Sequence, residues 1–200
     1  MALSPSDNLI THKKVSSEVS PVNCGDWNAN HDIKNLMGYI LVEERVLPAG
    51  TTSTTFSNLD GDTDEEYLIE TDIIMARTGV YTNLILRPNG DTNSTYNGVV
   101  AETLNNVNSA INAAFIWIAS TGNSQDGSVN GECKLYAKSG KIRHVIGEFV
   151  CSRGTYLSND RLAGNWSNTT DNITSIVLLA SDSGSFSGTI RLWKKIPVEV

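Results

Sequence analysis

Residues 67–77, YLIETDIIMAR, alternate in type: Tyr67, Ile69, Ile73 and Met75 fall on one side, Glu70 and Asp72 on the other. Successive side chains of an extended chain point to opposite faces, so this period of two predicts a strand with one buried face. Similar runs fill most of the chain. GYILVEERVLPAG offers Ile40, Val42 and Val46 to one face and is stopped by Pro48 and Gly50. TTSTTF (51–56) is β-branched, and YTNLILRPNGD turns Leu84 and Leu86 inward before the turn Pro88-Asn89-Gly90. AAFIWIAS (113–120), GECKLYAKSG, KIRHVIGEFVCS, DNITSIVLLAS and GTIRLWKKI follow, the last with Ile190, Leu192 and Ile196 alternating with Arg191, Trp193 and Lys195. About eight strands at intervals of roughly 10–20 residues, without helices between them, predict an all-β antiparallel β-sandwich with a jelly roll as its architecture.

One segment breaks the pattern. In NGVVAETLNNVNSAIN (97–112), Val100, Leu104, Val107 and Ile111 are spaced for a helix, although Asn and Ser are poor helix formers. A short helix is the expectation there. No repeat of fixed period runs through the chain, which argues against a propeller or solenoid.

Residues 1–36 read differently from 37–200. SPSDNLITHKKVSSEVSPVNCGDWNANHD holds isolated apolar residues, two prolines and no sustained period, the mark of an extended arm. The expected organisation is an anchoring arm over 1–36, ordered by a partner chain, and a β-sandwich domain over 37–200. The competing reading packs the arm on its own domain.

Composition narrows the function classes. The net charge of −7 opposes nucleic-acid binding. Cys24, Cys133 and Cys151 are odd in number and far apart, which fits neither a disulfide framework nor a zinc site and suits a reducing cytoplasm. No secretory signal and no run of apolar residues long enough to span a membrane stand in the sequence.

Carboxylates crowd FSNLDGDTDEEYLIE (56–70), which gathers Asp60, Asp62, Asp64, Glu65 and Glu66 without a Lys or Arg. Asp60, Asp62 and Asp64 match positions 1, 3 and 5 of an EF-hand, but Glu65 stands where Gly is needed and Thr71 where the bidentate Glu belongs. These three remain weak calcium candidates, against the plainer reading of an Asp-Gly turn capping backbone N–H groups. No cofactor is otherwise expected. A glycosidase would need two carboxylates set apart in pKa, and nothing singles out such a pair. His12 and His31 lie in the arm, His144 sits mid-strand, and GSFSG (184–188) has Phe186 where a nucleophile elbow has Ser. Cys151 reads as a small buried hydrophobe. No residue in the sequence is read as catalytic. The N-x-S/T sequons at Asn93, Asn165, Asn168 and Asn172 are ascribed to a composition rich in those residues. Trp27, Tyr156 and Trp166, with Tyr96, stand in loop-like contexts and are candidate glycan contacts. The alternative for Trp166 is a plug at the sandwich end, its indole N–H bonded to backbone.

FSNLDGDTDEEYLI (56–69), LILRPNGD (84–91), GECKLYAKSGKIR (131–143), GNWSNTTDNITSIVL (164–178) and GTIRLWKK (188–195) together resemble a group of virion structural proteins of tailed bacteriophages. The resemblance covers most of residues 39–196, rests on turn-plus-strand signatures, and brings no catalytic residues. It implies a β-sandwich module on a head or tail, a homo-oligomer with a trimer favoured, partnered by other virion proteins such as the major capsid or tail proteins. The expected role is capsid decoration or cement, in a virion made in the host bacterial cytoplasm; a receptor-binding module holding host glycan is the alternative. In that pattern LDGDTDEEYL is a fixed loop feeding a long strand.

Overall fold

Side-chain alternation becomes two layers of antiparallel strands. The computed structural model describes residues 38–76, 82–93, 95–102, 107–121, 126–153 and 156–196. In chain order the elements are β1 (Tyr39–Thr51), β2 (Ser53–Ser57), the helical turn α1 (Gly61–Asp64), β3 (Glu66–Ala76), β4 (Thr82–Pro88), β5 (Tyr96–Glu102) and β6 (Val107–Ala113). Then come β7 (Ile116–Thr121), β8 (Gly127–Tyr136), β9 (Arg143–Arg153), β10 (Tyr156–Trp166), β11 (Ser175–Ala180) and β12 (Ser185–Lys195). The larger sheet runs β1-β12-β3-β8-β9-β10-β5-β6 and the smaller β2-β11-β4-β7. The protein is an all-β antiparallel sandwich.

The core lies between the sheets. Tyr67, Ile69, Ile73 and Met75 of β3 are buried there, as their spacing predicts, with Leu84 and Leu86 of β4 and Ile190 and Leu192 of β12. Each such side chain contributes roughly 1.5–3 kcal/mol by leaving water.

The pairing is nested. β4 pairs with β7, β3 with β8, β2 with β11 and β1 with β12, so the first strand meets the last. Two hairpins stand outside this nest. β5–β6 and β9–β10 are far apart in sequence, yet β5 pairs with β10, and together they widen the larger sheet beyond β8. β7, at the edge of the smaller sheet, packs against β9, β10 and β5 of that extension.

Two expectations are corrected. Residues 97–112 contain strands β5 and β6, antiparallel to each other, and not the helix that their spacing predicts. Val99, Val100, Val107 and Ile111 are β-branched, and their i, i+4 echoes arise from two short strands. In β1, Ile40, Val42 and Val46 do not form a buried face; all three are exposed. A bulge between Leu41 and Glu43 inserts one extra residue, and beyond it Leu47 is the side chain that packs on the core. The arm over 1–36, with His12, Cys24, Trp27 and His31, lies outside the described residues.

Candidate interaction surface

The acidic loop is held together by its own carboxylates. Asp60 caps α1, accepting from Thr63 N at 3.3 Å and Thr63 Oγ1 at 2.8 Å, while Asn172 Nδ2 donates to Asp60 Oδ1 at 2.9 Å. Asp62 Oδ1 accepts from Ser139 N at 2.6 Å. Asp64 accepts from the Tyr67 hydroxyl at 2.7 Å and from Lys194 Nζ at 2.9 Å. Glu65 pairs with Lys138, and Glu66 accepts from the Tyr39 hydroxyl. Hydrogen bonds from Asn172 and Thr63 hold Asp60 below the usual Asp range, the Ser139 N–H does so for Asp62, and Lys138 for Glu65. Burial, then the hydrogen bond to Asp64, raises the Tyr67 phenol. Three calcium candidates thus address three different sets of protein donors. Among the described residues no three His, Cys, Asp or Glu side chains gather in a way that could hold a metal ion. The loop ties β3 to the 137–141 turn and to the segment after β10, through Gly61 N to Ile173 O at 3.0 Å and Ala137 N to Glu65 O at 2.8 Å.

Trp166 is buried and does not stand open as a glycan contact. It ends β10, is only 1% exposed, and stacks on Tyr96, also buried, with ring centroids 6.3 Å apart. The sandwich-end plug is what the sequence allowed, with one difference: the indole N–H donates to the Asp91 carboxylate at 2.8 Å, not to backbone. The Arg143 guanidinium lies 5.1 Å from the Trp166 ring and donates to the carbonyls of Asn168 and Asp171. Burial lowers the Arg143 pKa, while Asp62 and Asp171 oppose that shift. Tyr156 opens β10, but its side chain lies outside the described residues, as does Trp27. Cys133 and Cys151 are buried thiols, Cys133 pushed up by desolvation; His144 is exposed on β9.

Among the described residues, parts of the outer face of the larger sheet stand open to a partner, while Tyr39, Leu68 and Trp193 on the same face are buried. Register across the strands sorts it into rows. One row reads Leu41, Trp193, Leu68, Lys134, Ile146, Ala163 and Val99, from β1 to β5. It is apolar apart from Lys134. Tyr39, Leu68 and Trp193 form a small buried cluster on this face, and Lys134 lies over the Tyr39 ring at 5.4 Å. The next row reads Glu44, Arg191, Glu70, Glu132, Glu148 and Arg161. Arg191 reaches Glu44 at 2.6 Å and Glu70 at 3.8 Å; Arg161 reaches Glu148 at 3.3 Å. A hydrogen bond from Asn159, then Arg161, keeps the Glu148 pKa low.

Large aliphatics stand out from this face: Val46 is 76% exposed, Leu157 68%, Ile74 56%, Val150 46% and Ile146 44%. Between the two rows an open depression of about 390 Å³ is lined by Glu132, Lys134, Ile146, Glu148 and Arg161, with Cys133, Gly147 and Leu162 beneath. β8 and β9 run so close there that a Cβ on Gly147 would sit 2.5 Å from Cys133 Cβ. The face was missed in sequence because its rows gather single residues from strands far apart in the chain. The local signal that existed was the pair Ile146 and Val150 on β9, two exposed β-branched side chains flanking Glu148.

No family model matches this chain, no curated protein matches it, and no solved structure matches it.

Proposed function

We propose that the chain is a virion structural protein of a tailed bacteriophage, a decoration or accessory protein that packs on neighbouring subunits of the particle. The observation that carries this reading is the broad outer face of the larger sheet, where aliphatic side chains stand exposed among ordered charges. Isolated exposed apolar residues are ordinary, but a set of them on one sheet face is the mark of an interaction surface. The five stretches that resemble phage virion proteins point the same way. The nested strand pairing supports a jelly roll widened by two hairpins, an architecture used in capsid proteins. On this reading the acidic loop is scaffolding and the chain performs no catalysis. Its copies act by bridging subunits, and many weak contacts sum to tight attachment.

Particles assembled from the same genome without this chain provide the test. Purified protein added back should bind them saturably, at a copy number fixed by the lattice, and raise the temperature at which they rupture. Particles that neither bind the protein nor gain heat resistance would refute the proposal. Loss of host adsorption without either effect would favour the receptor-binding alternative.

A further inference from the structure

We infer that the part of the outer face formed by β8, β9, β10 and β5 docks a segment of a partner protein that presents lysine or arginine among aliphatic side chains. The aliphatic side chains of this patch lie on both sides of a charged row. Ile146, Ala163 and Val99 are register neighbours on one side and all are exposed. Val150 stands exposed on the other side, with Leu157 one row further along β10. Apolar side chains gathered on one sheet face in this way mark a contact surface. The row between them decides the partner's charge. It holds four glutamates, Glu44, Glu70, Glu132 and Glu148, against two arginines, Arg191 and Arg161, and Asp72 stands beside Glu70 in the next row. Arg191 serves Glu44 and Glu70, and Arg161 serves Glu148. Lys134 leans the other way, to Glu66 at 3.8 Å and over the Tyr39 ring. The row is therefore acidic on balance, and the depression of about 390 Å³ beside Glu132, Ile146 and Glu148 has room for one long basic side chain.

Register fixes what the guest must look like. Glu132 lies directly opposite Glu148, and Glu70 opposite Glu132. Like charges directly opposite one another destabilise a sheet, and their Cβ atoms are only about 4.5–5.5 Å apart. A guest cation between Glu132 and Glu148 relieves that repulsion and donates charge-assisted hydrogen bonds to both carboxylates. Along β9 the outward residues are Ile146, Glu148 and Val150, spaced two residues or about 6.8 Å apart. An extended guest with a basic residue between two aliphatic ones, each two positions away, repeats that spacing. Other occupants fit less well. A second copy would set acidic row on acidic row, and nucleic acid or an anionic lipid surface would be repelled by the same charge. The buried cluster of Tyr39, Leu68 and Trp193 closes the site on its other side. Four strands about 4.8 Å apart carrying three rows of side chains give a face of roughly 400 Å². That is the scale of a weak, reversible contact. The inference refines the proposed role by naming the chemistry of a neighbour, and it is tested on the isolated chain, so either can fail without the other.

The experiment is an amide NMR titration of the full chain with a blocked heptapeptide, Ser-Val-Ser-Lys-Ser-Val-Ser, at millimolar concentration. The same peptide with glutamate in place of lysine is the control. The lysine peptide should shift amides of β8, β9 and β10 saturably, and the glutamate peptide should not. Removing both carboxylates, in Glu132→Gln/Glu148→Gln, should raise the dissociation constant about tenfold. Ile146→Ser leaves every charge in place and should raise it about threefold, the part owed to apolar contact. All three positions are exposed, and the amide spectrum of each variant reports whether the fold is kept. The absence of a saturable shift overturns the inference. So does equal binding of the two peptides, a response confined to the acidic loop at 56–66, or a dissociation constant indifferent to either variant.

Discussion

Trp166 joins packing and electrostatics in one side chain. Its ring fills the end of the sandwich against Tyr96 and beneath Arg143, while its N–H serves the Asp91 carboxylate. Trp166→Phe keeps most of the packing and removes that bond. Hydrogen bonds to charged groups contribute about 1.5–3 kcal/mol, so urea unfolding should show a loss of that order. A loss below about 0.5 kcal/mol would mean that Asp91 finds another donor. Asp91 also sets a pH dependence. Burial alone would raise its pKa, but hydrogen bonds from Asn93 N–H, the Trp166 indole and Thr95 overcome burial and hold it below the ordinary 3.8. A depressed folded pKa means that the unfolded chain takes up the proton more readily. The contribution is therefore complete above the unfolded value and is lost as pH falls below it, through the folded pKa. Asp91→Asn should be less stable at neutral pH and show a shallower loss of stability below about pH 4 than the wild-type chain, read from urea midpoints at each pH. Parallel curves would assign the acid limb to other carboxylates.

At the scale of elements, what could be read in advance depended on whether a strand shows one clean face. β3 does, and its buried side chains follow its alternation. β1 does not, because the bulge at Val42 changes which parity points inward, and a bulge leaves no mark in an apolar run such as ILV. The 97–112 segment misled for a related reason: two short strands sampled every third or fourth residue imitate a helix. Backbone approach is equally silent in sequence. Gly131 of β8 faces Phe149 of β9, and a Cβ there would lie 2.3 Å from the Glu148 carbonyl oxygen. Gly131→Ala should therefore cost about 1–3 kcal/mol or more by forcing β8 and β9 apart, measured by urea unfolding, although alanine favours an extended strand over glycine. A neutral result would show that the strands can separate freely. For α1, whose capping carboxylates already have protein donors, the melting temperature should be the same in calcium and in chelator. A rise of several degrees with calcium would restore Asp60, Asp62 and Asp64 as ligands.

For the whole molecule, the decisive information is which strand meets which, and no local window contains it. Glu44 and Arg191, joined across β1 and β12, are 147 residues apart in the chain, and the outer row that unites Leu41 with Val99 passes through strands from both ends of the sequence. Composition and alternation foretell two layers of strands; the nested order and the surface built on it follow only from the closed topology. That topology has a kinetic consequence. Closing a long loop costs chain entropy before the strand contacts that reward it can form. Here β1–β12 and β2–β11 must both close across most of the domain, whereas β9–β10 is a local hairpin. Refolding should therefore occupy milliseconds to seconds, as in other sandwiches dominated by distant pairings. Leu178→Ala on β11, which loses packing where β2 and β4 flank it, and Leu162→Ala on β10 in the extension separate the steps. If the nest forms the folding nucleus, Leu178→Ala slows refolding, while Leu162→Ala chiefly speeds unfolding. Stopped-flow chevrons with the opposite partition would make the hairpin extension the nucleus, with the nest closing upon it.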